Sequence, residues 1–317
     1  MKQIKNIYQA FWHEISFFLI SPALMWQMLF LIIPLFFVVT LSFLYSDQIG
    51  FFRFTLDHYK DLLQTSYFLI ILRSLALAFS TALLCLLFGY ALAYYIVFRL
   101  KRLKLVALYL LIVPFMTNLL VLVYSWFFIL EPQGFLNKVL ISIGLIDHPI
   151  MLFNSLYAVQ IVMFYCFLPF MVLPLVSSLE KLDTSLIEAS YDLGATVFQT
   201  FLRVILPQSF SGIQAGFFLV FVPAFGEFAI PALVGGDKFM FVGSLISHYF
   251  LVAKNNSMGA AFTCLSAVVL AVCVFLLSKA LNKIFLQVFS SVKQRRKISV
   301  KTKQEQPINL KLNRGAK

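Results

Sequence analysis

Residues 178–212 read SLEKLDTSLIEASYDLGATVFQTFLRVILPQSFSG and lie between two long apolar runs. The stretch carries four acids, Glu180, Asp183, Glu188 and Asp192, against two bases, Lys181 and Arg203. Ser185 and Glu188 stand at capping-box spacing, Gly194 can supply the left-handed turn that ends a helix, and Thr196 with Gln199 repeats the box. Pro207 limits how far the second helix runs regularly. The pattern predicts two short helices joined at a glycine, a helix-turn-helix projecting from a membrane. Lipid headgroups would favour the opposite charge balance, so this surface suits a protein partner. The spacing alone also allows Glu188 to do no more than cap a helix.

The composition on either side agrees with a membrane setting. Of 317 residues, 61% are hydrophobic and 12% charged, whereas a soluble domain has about 45–50% and about a quarter. That balance excludes a soluble enzyme and a disordered chain. Six stretches reach the about 20 residues a helix needs to cross a bilayer: near 17–44, 68–98, 105–130, 153–177, 213–235 and 258–286. Pro22, Pro34, Pro114, Pro169, Pro174, Pro223 and Pro231 fall inside these spans, where neighbouring helices can re-satisfy freed carbonyls. The predicted fold class is an all-α membrane protein with six transmembrane helices.

Lys and Arg set the orientation. Nineteen fall on the side of the termini, including Arg99, Lys101, Arg102, Lys104, Lys181, Arg203 and the cluster after Lys279, against Arg53, Lys60, Lys138, Lys238 and Lys254 on the other. Both termini of this multi-pass chain are therefore expected in the cytoplasm. Residues 1–16 place Ile4, Ile7, Tyr8, Phe11, Trp12 and Ile15 at helical spacing, the pattern of an amphipathic helix in the inner interface. The first span is too long for a cleaved signal peptide and lacks a small-residue cleavage site. The six-span body is taken as 17–292, with 293–317 a basic, disordered tail beside anionic lipid.

Other chemistry is not indicated. Cys85, Cys166, Cys264 and Cys273 lie in apolar stretches without a C-x-x-C pair and read as buried thiols, not as a metal or disulfide set. His13, His58, His148 and His248 are scattered, and HEISF at His13 lacks the second histidine of H-E-x-x-H. No G-x-x-x-x-G-K-[ST] phosphate loop occurs. The basic residues flank apolar runs, which fits membrane topology and gives no reason to expect nucleic acid.

The loop resembles the EAA loop of binding-protein-dependent ABC importer permeases: Glu-Ala-Ala, three residues, Gly, nine residues, then Ile-x-Leu-Pro. The matching positions are Glu188, Ala189, Ser190, Gly194, Val204, Leu206 and Pro207, with Ser190 and Val204 conservative departures. FTLDHYKDLL, LCLLFGYALAYYI, LLIVPFMTNLLVLVYSW, FLPFMVLPL and PAFGEFAIPALVGG resemble the spermidine/putrescine branch, from about residue 54 to about 285. The resemblance implies a type I, MetI-like importer fold. It implies that Glu188, Ala189, Ser190, Asp192, Leu193, Gly194 and Pro207 belong to a helix docking on a cytosolic ATPase. It further implies two ATPase copies that bind the ATP, a second homologous permease chain, an extracytoplasmic substrate-binding protein, and no cofactor in this chain.

Glu227 is the one acid well inside a span, where a charge costs about 2.5–3.5 kcal/mol even on the lenient insertion scale. Beside Phe225 and Phe228, and with Tyr124 and Trp126, it is the candidate substrate path, a carboxylate and aromatic rings suiting a chain of ammonium groups. The alternative is a structural ion pair with Arg73 or a sister subunit. Arg73 stands where relatives usually show Asn, and Leu122 where many show Arg; Arg73 either alters the path or snorkels outward. Iron, sulfate, molybdate and phosphonate permeases share the loop, and an ion-gradient-driven secondary transporter would also have six spans.

Overall fold

The computed structural model describes residues 2–46, 52–100, 102–236 and 239–304, with side chains for 20–44, 53–100, 102–236 and 239–286. The amphipathic reading of residues 1–16 concerns side chains outside this set, and so does His13. In chain order come α1 (Lys2–Ser42), the hairpin β1 (Leu44–Ser46) and β2 (Phe52–Phe54), α2 (Asp57–Leu62), α3 (Thr65–Phe98), α4 (Lys104–Ile112), α5 (Leu119–Leu130), α6 (Phe135–Ser142) and α7 (Leu156–Glu180). Then follow α8 (Thr184–Asp192), α9 (Val197–Thr200), α10 (Leu206–Gln208), α11 (Phe210–Gly226), α12 (Val242–Ser247) and α13 (Asn256–Gln304). Phe201–Ile205, Pro231–Gly235 and His248–Val252 are π-helical turns.

Among the described residues five helical stretches are long and apolar enough to cross a membrane: Ile20–Ser42, Thr65–Phe98, Leu119–Ser142, Leu156–Glu180 and Asn256–Leu286. Val197–Gln208 and Phe210–Gly226, bent by 66°, make a sixth if taken as one span. The third expected span, 105–130, is not one helix. Helix α4 ends at Ile112, Pro114 lies in a run of turns, and α5 restarts after Asn118, whose side chain accepts from the Leu120 amide at 2.9 Å. Pro114 lacks an amide hydrogen, and Asn118 offers a better cap than helix continuation. The fifth, 213–235, is also interrupted: α11 stops at Gly226 and the chain opens at Glu227 and Phe228. At the C-terminus, where a disordered tail is expected from 293, α13 runs on to Gln304 through lysines, glutamines and arginines, which are good helix formers. Residues 305–317 lie outside the described set. Only Cys85 is buried; Cys166, Cys264 and Cys273 are half-buried, on helix faces the chain does not fully cover.

The chain divides into two compact units. One comprises Met1–Leu75, Gly226–Ala232 and Asp237–Val269. In it the Tyr59 hydroxyl donates to the buried Ser42 hydroxyl at 2.9 Å, and Phe43 stacks on Phe54. Tyr67 and Tyr249 share a hydroxyl hydrogen bond of 2.7 Å. The Ser74 hydroxyl accepts from the Val242 amide at 2.8 Å, fixing the start of α12 against α3. Gly243 then lies against the carbonyl oxygens of Gly226 and Glu227, closer than any side chain would permit.

The other unit comprises Ala76–Phe225, Leu233–Gly236 and Leu270–Lys317. Lipid tails are as apolar as leucine, so helices in a bilayer are held by close packing and hydrogen bonds between them. Both occur here. Ser80 donates to the Gln160 carbonyl oxygen at 2.7 Å and the Gln160 amide donates to Thr81 at 2.9 Å, joining α3 to α7. Gly212 and Gly216, four residues apart on one face of α11, admit the backbone of α7: a Cβ at Gly212 would meet the Pro174 oxygen at 2.8 Å, and one at Gly216 the Met171 sulfur at 2.8 Å. Farther on, Gln214 donates to Asn282 at 3.0 Å and Phe210 stacks on Phe285 at 4.1 Å, tying α11 to α13.

Candidate functional site

The 178–212 loop forms the two expected helices, with a different first cap. Asp183, two residues before Ser185, is the N-cap of α8, its carboxylate accepting from the Ser185 amide at 2.9 Å. Aspartate and serine are about equally good caps, and the helix begins where the earlier one offers itself. That hydrogen bond holds the Asp183 carboxyl below the usual carboxylate range. Helix α8 ends in a Schellman motif: Gly194 has φ +77°, its amide donates to the Tyr191 carbonyl at 2.8 Å, and the Ala195 amide to the Ser190 carbonyl at 3.0 Å. The second capping box forms, with Thr196 accepting from the Gln199 amide and the Gln199 side chain accepting from the Thr196 amide.

Beyond α9 the chain widens into the π-helical turn Phe201–Ile205. Pro207 has no N–H for the Arg203 carbonyl, so a regular α-helical ladder cannot continue there. At the loop's base Lys104, at the start of α4, pairs with Glu180, the last residue of α7. Across the hairpin the Ser190 and Thr200 hydroxyls meet at 2.7 Å, Thr200 being buried.

The outer face of the loop is left uncovered. No residue of α8 is buried, and Glu188, Ala189, Asp192 and Gly194 are exposed. Leu193 is 82% exposed and Phe198 69%, and Leu186 and Val197 are exposed as well. Large apolar side chains left uncovered on so polar a segment mark a contact surface. Pro207, in contrast, is half-buried and shapes the loop from within.

The candidate path residues fall in both units. At Glu227 the helix has just opened, and one carboxylate oxygen accepts from the amides of Ala229 at 2.9 Å and Ile230 at 3.3 Å. It therefore caps the segment leading to Pro231, and no ion pair joins it to Arg73, which is exposed. Phe228, in the same unit, is exposed; Phe225, in the other, is buried. Trp126 packs edge-on against Tyr165 at 5.2 Å, and Tyr124 is exposed.

Residues 85–287 match the family described as the binding-protein-dependent transport system inner membrane component. The chain belongs to this family. Among its relatives the chain is 40% identical over 263 residues to the spermidine/putrescine transport system permease protein PotB of Escherichia coli K12, covering 81% of this chain and 96% of that one. To PotB of Haemophilus influenzae it is 37% identical over 286 residues, covering 90% and 97%. A crystal structure of a bacterial ABC transporter involved in import of the acidic polysaccharide alginate has the same fold, with TM-score 0.67 at 18% identity over 90% of this chain and 99% of that one. An inward-facing structure of the MetNI methionine ABC transporter gives TM-score 0.51 at 18% identity, covering 71% and 99%. This member of the binding-protein-dependent family is thus an inner-membrane transport component with the ABC importer permease fold. The ion-gradient-driven reading is set aside.

The pairing of Gly212 with Gly216 escaped the sequence reading. Its signal, G-x-x-x-G within an apolar helix, is the usual mark of close helix contact.

Proposed function

We propose that this chain is a transmembrane subunit of an ATP-driven importer for spermidine and putrescine. The observation that carries this reading is 40% identity to PotB of E. coli across 96% of that protein's length. Both termini lie in the cytoplasm, the side on which Lys and Arg concentrate. On that side the 178–212 loop docks on the ATPase. Glu188, Ala189, Ser190, Asp192, Leu193 and Gly194 form the contact, and the exposed Leu193 and Phe198 supply apolar area. ATP is bound by two copies of that ATPase and not by this chain, whose sequence has no phosphate loop. A second, homologous permease chain completes the path, and a binding protein delivers substrate on the outside.

Glu227 serves the cation. One oxygen is held by two backbone amides, which fixes the carboxylate's direction and leaves the other oxygen for an ammonium group. Phe228, the next residue in the same unit, offers an exposed ring to it; Phe225, Tyr124 and Trp126 belong to the other unit and are path candidates by their sequence positions alone. The test is uptake of labelled putrescine and spermidine by cells lacking this gene, against the same cells carrying it. Uptake restored by the gene and abolished by ATP depletion is the expected result. Unchanged polyamine uptake, with redundant systems removed, would assign the permease to another solute such as iron, sulfate, molybdate or phosphonate.

A further inference from the structure

We infer that Tyr90 of α3 is a positioning residue for energy coupling, acting with the Ser190–Thr200 hydroxyl pair as the joint between the 178–212 loop and the membrane helix. The inference rests on the docking role proposed for that loop. Tyr90 is buried, and its hydroxyl meets Ser209, at the bend between α10 and α11, at 2.9 Å. Ser209 uses its one hydroxyl hydrogen on the Leu206 carbonyl at 3.1 Å, so Tyr90 is the donor. Phe201, the first residue of the π-helical turn, stands edge-on to the Tyr90 ring at 5.6 Å and to the Tyr94 ring at 6.4 Å. Tyr90 and Tyr94 are four residues apart and share one face of α3. The second arm of the loop is thus held to α3 at two points, one at the first residue of a π-helical turn and one beyond that turn, an irregularity frequent at functional sites.

The first arm is joined to the second by hydroxyls. Ser190 donates to the Ile187 carbonyl at 2.8 Å within α8, so Thr200 donates to Ser190 across the hairpin. A displacement of α8 therefore passes through Thr200 to its neighbour Phe201, and from there to Tyr90 and Tyr94. Ser190 stands where the loop pattern of this family has alanine, which could not accept that bond. The device belongs to this chain's own sequence.

The experiment uses the complex purified through a tag on this chain, in proteoliposomes with labelled spermidine and the binding protein. The reading is spermidine taken up per ATP hydrolysed. Tyr90→Phe, which keeps the ring and removes the donor, should lower that ratio about five-fold, the weight of one buried hydroxyl hydrogen bond, while hydrolysis continues. Adding Ser209→Ala should lower it no further. Thr200→Val should lower it, and Thr200→Ser should restore it. A merely structural role would reduce the amount of complex and leave the ratio unchanged, which would overturn the inference. Hydrogen exchange gives a substrate-independent arm: ATP should alter exchange in α8 and in residues 91–98 of wild type, and in Tyr90→Phe, which keeps the ring contacts and loses only the Ser209 tie, the change in 91–98 should shrink while that in α8 stays. No ATP effect on wild-type α8 would contradict the docking role itself; an undiminished effect in 91–98 of Tyr90→Phe would overturn the joint alone.

Discussion

Gly194 is the position at which backbone conformation and docking meet, and a three-member substitution series separates the contributions. Its φ of +77° lies in the left-handed region, where a residue with a Cβ costs about 1–2 kcal/mol. Nothing lies within 4 Å of the place a Cβ would occupy, so Gly194→Ala is penalised by conformation alone. A penalty of that size raises the population of the opened α8 terminus by about 5- to 30-fold. Gly194→Asn should cost less, because asparagine tolerates this conformation better. Gly194→Pro should cost about 3 kcal/mol or more, since its φ is fixed near −65° and it cannot donate to the Tyr191 carbonyl. A nine-residue helix has little stability of its own, so loss of its Schellman end displaces Leu193 and frays the helix back toward Ser190. The assay is exchange protection of the Ala195 amide, which donates to Ser190, together with ATP-driven uptake and membrane insertion. Protection should fall in the order Asn, Ala, Pro, and Gly194→Pro should insert but not couple. Wild-type coupled uptake by Gly194→Pro, or Ala195 protection unchanged in Gly194→Ala, would mean that the left-handed turn does not hold the end of α8 for coupling.

Three further outcomes are expected. Glu227→Gln keeps an oxygen for the Ala229 and Ile230 amides and removes only the charge, so it should weaken spermidine uptake by about 10- to 100-fold, the worth of a charged hydrogen bond; unchanged affinity and rate would leave Glu227 as a cap and nothing more. Gly212→Ala should destabilise more than Gly216→Ala, within about 1–3 kcal/mol, because its Cβ meets the Pro174 carbonyl whereas at Gly216 the nearest atom is the flexible Met171 sulfur; equal melting temperatures in detergent would contradict this. The Asp183 carboxyl is held below its unfolded value by the Ser185 amide, so its support of α8 is complete above the ordinary carboxylate range and is lost as pH falls through the lowered value. Protection of α8 should therefore not vary with this group's titration near neutral pH and should fall only in acid, and Asp183→Ala should lower protection at neutral pH and remove the acid transition.

The sequence makes most of the membrane architecture legible because apolar run length is a strong and local signal. The Thr196–Gln199 box and the glycine turn at Gly194 were readable for the same reason, each depending on a few adjacent residues. The first cap was not, since Asp183 and Ser185 both qualify and only the hydrogen-bond ladder decides between them. The break in 105–130 was hidden by its apolarity: Pro114 and Asn118 are the visible punctuation in a run that otherwise satisfies every criterion for one span. At Glu227 the charge was conspicuous, but its turn back onto the Ala229 and Ile230 amides depends on how the backbone opens after Gly226. Contacts such as Tyr90 with Ser209 join residues more than a hundred positions apart and leave no local pattern.

Proteoliposomes holding the complete complex decide whether transport of the polyamine is driven by ATP and depends on the binding protein. Labelled spermidine should accumulate only with ATP on the ATPase side and binding protein on the other, and an imposed proton gradient should not replace ATP. Accumulation that needs the gradient and not ATP would contradict the account.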